Sequence, residues 1–140
     1  MDFQPEKQYD LIVSNPPFYI HFPQCDSERK SRTRHSDATL SFASLCSVAK
    51  RLMKPDGRFA LVLPARESIE FLKEADAIGL SLHKRLSIIP IAGKESNRVN
   101  LELGLKPTEK VIEETFVIRN EDKQFTQQYK EFLKDYYLNL

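Results

Sequence analysis

The chain has 140 residues, enough for one domain. Its 21 Lys+Arg nearly cancel 20 Asp+Glu, giving a net charge of +1, so no global field attracts nucleic acid or a membrane surface and any basic patch must be local. No apolar run approaches the roughly 20 residues of a membrane span. Met1-Asp-Phe-Gln-Pro5 lacks the basic start and apolar core of a secretory signal. The two cysteines, Cys25 and Cys46, form neither a Cys-x-x-Cys nor a disulfide framework, so a cytoplasmic protein with reduced thiols is expected. The four glycines (Gly57, Gly79, Gly93 and Gly104) lie too far apart to make a Gly-x-Gly, which excludes a glycine-rich nucleotide loop within these residues.

Tyr9-Asp-Leu-Ile-Val-Ser14 is a short apolar run, β-branched at its centre and ended by Asn15-Pro16-Pro17. Apolar residues at successive positions predict a strand covered on both faces, as in a parallel sheet. The polar stretch 19–36 is irregular and carries a basic cluster. Ser41 is a candidate N-cap for a helix over Phe42–Met53, in which Leu45, Val48, Ala49 and Leu52 fall at i, i+3, i+4 and i+7. Lys54-Pro-Asp-Gly57 predicts a stop and turn, and Arg58–Leu63 a second buried strand closed by Pro64.

A helix at about Glu67–Ile78 follows, with Ile69, Leu72, Ala75 and Ile78 on its apolar side and Gly79 as its breaker. Leu82–Ile91 predicts a longer strand. After the loop Ala92–Arg98, the alternation of Val99, Leu101, Leu103 and Leu105 with polar residues predicts an antiparallel partner, so the two form a hairpin. Thr115–Arg119 predicts a short strand. Phe125–Tyr137 predicts a C-terminal helix with Phe125, Tyr129, Phe132 and Tyr136 as a core-facing stripe. The resulting order is that of the second half of a doubly wound α/β sheet ending in an antiparallel hairpin.

The tetrapeptide Asn15-Pro16-Pro17-Phe18 at the end of the first strand carries the chemistry. An exocyclic amine on an aromatic base is a poor nucleophile because its lone pair is delocalised into the ring. Carbonyl oxygens accepting its N–H bonds return density to nitrogen and aim the lone pair. Asn15 offers a side-chain carbonyl and Pro16 a backbone carbonyl held by fixed proline φ angles, while neither proline brings a competing N–H. Phe18 offers a flat face for an extruded base. A rigid strand exit is the plain alternative for Asn-Pro-Pro alone.

With Tyr9-Asp10 before it and Phe18 after it, this element resembles the catalytic motif of S-adenosylmethionine-dependent amino-methyltransferases. The segment Glu28-Arg-Lys-Ser-Arg-Thr-Arg-His35, the stretch Lys54-Pro-Asp-Gly-Arg-Phe59 with Val62-Leu-Pro64, and Phe125-Thr-Gln-Gln-Tyr129 with Leu133-Lys-Asp-Tyr-Tyr137 narrow the resemblance to the bacterial tRNA1(Val) (adenine(37)-N6)-methyltransferase family. It covers about Tyr9 to Leu138 and corresponds to the C-terminal half of a family member. It implies one partial domain over residues 1–140 with a Rossmann-like class I methyltransferase fold. The implied reaction is N6-methylation of an adenine in tRNA, with S-adenosylmethionine as cofactor and tRNA as partner.

The implied site residues are Asn15, Pro16, Pro17 and Phe18 for catalysis, with Asn15 also at the cofactor. Arg29, Lys30, Arg32, Arg34, His35, Lys94 and Arg98 are implied for RNA. The glycine-rich cofactor loop of the family has no counterpart here, so the chain alone is expected to bind cofactor weakly or not at all and to be inactive. Guanine-N2 rRNA methyltransferases share the tetrapeptide, and a non-catalytic RNA-binding remnant is the other alternative. His21, His35 and His83 do not group with the cysteines at ligand spacing, so no metal is expected. The strand 10–14, lacking the neighbour it has in the family, is expected to self-associate through its edge.

Overall fold

A computed structural model of the chain describes residues 7–16 and 41–136. The elements are β1 (Tyr9–Ser14), α1 (Phe42–Leu52), β2 (Met53–Pro64), α2 (Glu67–Ala77), β3 (Ser81–Ile91), β4 (Arg98–Gly104), β5 (Ile112–Arg119) and α3 (Gln127–Leu133). They build one five-stranded sheet in the order β1-β2-β4-β3-β5. β1 pairs with β2, and β3 with β5, in parallel, whereas β4 is antiparallel to both of its neighbours. The predicted α/β architecture with its antiparallel hairpin is therefore the observed one.

Local chemistry explains most boundaries. Ser41 caps α1, its Oγ accepting from the Ser44 N–H at 3.1 Å, and Lys50 and Arg51 sit where the helix C-terminus favours cations. Gly79, at φ +78°, closes α2 in a Schellman arrangement: its N–H donates to the Asp76 carbonyl and that of Leu80 to the Ala75 carbonyl, both at 2.9 Å. The helix predicted over Phe42–Met53 ends at Leu52, and no free turn follows it. Met53 already pairs with Tyr9, and Arg58 with Leu11, so Lys54-Pro-Asp-Gly57 bulges out within the β1–β2 ladder. Gly57 is required there, since a Cβ would stand 2.8 Å from the Tyr9 carbonyl oxygen.

One face of the sheet is covered by α1 and α2. Phe42, Leu45, Cys46 and Ala49 from α1, and Phe71 and Ala75 from α2, pack on Phe59, Leu61 and Leu63 of β2 and Val99, Leu101 and Leu103 of β4. The alternation read for β4 thus buries one side of a strand in the middle of the sheet. Two expectations about this packing fail. Of the expected side of α2, Ala75 is buried and Leu72 and Ile78 pack partly against the core, but Ile69 is 59% exposed and Phe71 and Ser68 are buried in its place, because a fully enclosed Phe71 against Phe42 (5.4 Å, edge-on) removes more apolar surface than Ile69 could. The strand expected to be covered on both faces, β1, has a neighbour on one side only among the described residues, and Tyr9, Leu11 and Val13 are exposed.

The C-terminal helix also differs. It is shorter than Phe125–Tyr137 and is capped by Thr126, whose Oγ1 accepts from the Tyr129 N–H at 3.1 Å. Its aromatic residues do not enter the core. Tyr129 and Phe132 lie against Phe116 of β5, Phe125 stacks on Tyr129, and Phe132 and Tyr136 are largely exposed, because the helix docks on the last strand rather than between layers. No helix among the described residues is long and apolar enough to cross a membrane.

Candidate active site

Because β1, β2, β3 and β5 run in one direction and β4 in the other, one end of the sheet gathers four strand C-termini and the start of β4. In open α/β sheets this is the ligand-binding end. Asn15 leaves β1 here with its side chain exposed, and the following Pro16 is buried, so the amide stands on an anchored backbone. Ser14 pairs with Leu61, which puts the exit of β1 beside the last residues of β2.

Backbone bonds knit the rim around it. The Ala65 N–H donates to the Asn97 carbonyl at 3.1 Å, the Asn97 N–H to the Ile88 carbonyl at 3.2 Å, and the Ala92 N–H to the Arg119 carbonyl at 2.8 Å. Arg98 opens β4 opposite Pro64 on one side and Ile88 on the other. Lys94 stands exposed in the β3–β4 loop, whose turn at Gly93 adopts φ +77°. With strands about 4.8 Å apart, β4 lies roughly 10 Å from β1 across this end. The structure therefore brings Asn15, Pro16, Lys94 and Arg98 to the same end of the sheet. Pro17, Phe18, Arg29, Lys30, Arg32, Arg34 and His35 lie outside the described residues.

Two further side chains stand at this rim that no motif in the sequence singles out. Arg66 is exposed at the turn from β2 into α2. Glu67, first residue of α2, holds a buried Oε2 without a hydrogen-bond partner. The signal that could have found them is the strand-ending Pro64 followed at once by a helix start, which puts the intervening residues on the ligand side.

Elsewhere the titratable groups are structural. The Lys54 ammonium, hydrogen-bonded to Asp10 at 2.8 Å and attracting its charge, holds that carboxyl below the usual range, but this exposed pair lies at the other end of β1. Burial, aided by the charge of Glu74, pushes the Cys46 thiol up to about 12, so Cys46 is no nucleophile. His83, with Nε2 2.7 Å from the Lys106 carbonyl oxygen, sits at the start of β3, away from the rim. Among the described residues no three His, Cys, Asp or Glu side chains gather to hold a metal ion.

No family model matches the sequence. Curated relatives do. The tRNA1(Val) (adenine(37)-N6)-methyltransferase of Parabacteroides distasonis is 30% identical over 141 residues, 99% of this chain and 59% of the relative. That of Dickeya chrysanthemi is 30% identical over 96% of this chain and 54% of its own length, and that of Tolumonas auensis 33% identical over 94% and 55%. The chain spans about half the length of the curated relatives it matches. Among solved structures, a predicted O-methyltransferase from Agrobacterium tumefaciens shares the fold with a TM-score of 0.58 at 17% identity, covering 94% of this chain and 51% of that one. Along nearly its whole length, then, the chain is related to one half of the tRNA1(Val) (adenine(37)-N6)-methyltransferases.

Proposed function

We propose that this chain is the base-binding half of an S-adenosylmethionine-dependent methyltransferase that methylates N6 of an adenine in tRNA, with the anticodon-adjacent adenosine of tRNA1(Val) as its target. The observation that carries the reading is Asn15, exposed on a buried proline at the ligand end of the sheet, in a sequence related to proteins of that name. The Asn15 side-chain carbonyl accepts one N–H of the adenine amine and the Pro16 backbone carbonyl the other. Together they turn the lone pair toward the methyl donor, and Pro17 and Phe18 continue the pocket, Phe18 as the stacking face. Positioning supplies most of the rate, since a sulfonium leaves readily.

S-adenosylmethionine supplies that methyl when bound. The glycines here do not fit its methionine end: none forms a glycine-rich turn between a parallel strand and the helix after it. Gly57 lies in the β1–β2 bulge, Gly79 ends α2, Gly104 ends β4 and Gly93 turns a hairpin loop. The chain alone is therefore expected to be inactive and to bind the cofactor weakly. Arg29, Lys30, Arg32, Arg34 and His35, with Lys94 and Arg98 at the rim, contact tRNA phosphates.

The test is a chimera that joins the unmatched half of the Dickeya chrysanthemi relative to this chain. It is incubated with tRNA and S-adenosylmethionine, and the tRNA is digested for nucleoside mass spectrometry. N6-methyladenosine in tRNA1(Val) is the expected product. A folded, cofactor-binding chimera that makes N2-methylguanosine or no modified nucleoside contradicts the reading.

A further inference from the structure

The turn that follows β5 is built around two cations, Arg119 and Lys123. The Asn120 N–H donates to the Gln124 carbonyl at 2.8 Å and the Lys123 N–H to the Asn120 carbonyl at 2.9 Å, and the chain then returns beside its own strand, where Phe125 pairs with Arg119. Closing so tight a turn puts Lys123 at φ +67°, the one left-handed residue other than glycine among the described residues. Glycine takes that conformation without strain and lysine does not, so Lys123 is a backbone outlier of the kind that functional sites carry.

Arg119 is half-buried and held from two directions. Its Nη1 donates to the Lys123 carbonyl at 2.7 Å. Its guanidinium carbon lies 3.9 Å from the centre of the Phe125 ring, which stacks in turn on Tyr129 at 4.8 Å. The aromatic column and the carbonyl together fix the guanidinium, while Nε and Nη2 have no hydrogen-bond partner among the described residues. No carboxylate there pairs with either cation, although two stand in the same turn. Asp122 accepts the Gln124 N–H at 3.0 Å through Oδ1, and a Glu121 carboxylate oxygen turns toward Gly93, 3.7 Å from where a Cβ would stand.

We propose that Arg119 and Lys123 form a phosphate clamp for RNA at the β5 end of the rim. Arg119 offers its free Nε–Nη2 fork to two oxygens of one phosphate, and Lys123 adds a point charge beside it. The place in the fold favours a polyanion over a lone phosphate. The Ala92 N–H donates to the Arg119 carbonyl at 2.8 Å, which sets the clamp beside the loop that bears Lys94. Outward from Asn15 the rim thus presents Arg98, Lys94 and then Arg119 with Lys123, the last on a strand about 19 Å from β1. That the polyanion is tRNA rests on the proposed function; the clamp itself rests on the turn.

The test uses the purified chain and a fluorescently labelled tRNA1(Val) transcript, with the dissociation constant read by anisotropy over a series of KCl concentrations. Arg119→Lys keeps the charge and loses the fork, so affinity should fall roughly fivefold or more with the salt slope unchanged. Lys123→Gly should reduce the log–log slope by roughly one unit. Because glycine suits the left-handed position, it should do so without lowering the thermal midpoint, which separates a binding role from a structural one. Inorganic phosphate at matched ionic strength should not displace the RNA. Displacement by inorganic phosphate, an Arg119→Lys chain that binds as tightly as the unaltered one, a Lys123→Gly chain with the original slope, or an unaltered chain that binds no tRNA at low salt overturns the clamp. A chimera that makes N6-methyladenosine while both variants bind normally contradicts the clamp alone. The expected binding losses beside a chimera that makes N2-methylguanosine contradict the methylation reading alone.

Discussion

Truncating Phe71 to alanine tests which face of α2 packs on the sheet. The ring is fully buried, edge-on to Phe42 at 5.4 Å and tilted against Phe59 at 6.3 Å, so it joins both helices to β2. Removing a ring enclosed in this way leaves a cavity and costs about 3–5 kcal/mol. That is a large share of the roughly 5–15 kcal/mol that holds a typical domain together. With a urea dependence of about 2 kcal/mol per M, the unfolding midpoint should fall by roughly 2 M. Ile69→Ala, on the same helix but 59% exposed, should cost about 0.5 kcal/mol or less. Combining Phe71→Ala with Phe42→Ala should recover a coupling of about 0.5–1.5 kcal/mol for the aromatic pair. Equal losses for Ile69→Ala and Phe71→Ala in urea titrations followed by circular dichroism would refute the packing described for α2.

Ser41→Ala removes the side-chain acceptor of the Ser44 N–H and should lower stability by about 1 kcal/mol in the same titration, while Ser41→Asn should restore most of it. Cys46, its thiol pushed up to about 12, should resist maleimide at pH 8 in the folded chain and react only after unfolding; rapid labelling of the native protein would place it outside the core. In the chimera, alanine at Arg32, Arg34, Lys94 or Arg98 should each weaken tRNA binding and reduce the log–log salt slope by roughly one unit for every phosphate no longer neutralised. An unchanged slope removes that residue from the interface.

The strands are legible wherever side chains repeat with the period of a covered face. Val99, Leu101 and Leu103 announce β4, and the break at Gly93 announces the hairpin, because burial of one face leaves a pattern in the chain. The turn signal at Lys54-Pro-Asp-Gly57 is legible as local chemistry but not as a bulge, since whether a turn ends a strand or interrupts it is decided by the distant β1 that pairs on either side. The buried face of α2 is hidden for a related reason. Ile69 and Phe71 are both apolar, and only the position of Phe42 on another helix selects between them. The stripe on α3 has the spacing of a core helix, yet nothing in its own sequence states that it docks at the last strand, where most of Phe132 and Tyr136 remains in water. At the candidate site, Asn15 is legible because a strand end followed by proline fixes its place. Arg66 and Glu67 carry no motif of their own and are marked only by the strand-ending Pro64 just before a helix start, since they reach the rim through the crossing of β2 into α2.

The most direct test of the central claim is the single-turnover rate of methyl transfer to tRNA by the chimera carrying Asn15→Ala, measured beside its tRNA dissociation constant. An amide that orients the amine only as the methyl moves contributes to the transition state, whereas the basic residues supply the affinity. The account predicts that methyl transfer is abolished while the dissociation constant stays within about twofold. An undiminished rate, or a lost rate fully explained by lost tRNA binding, would contradict the assignment of Asn15 to the reacting base.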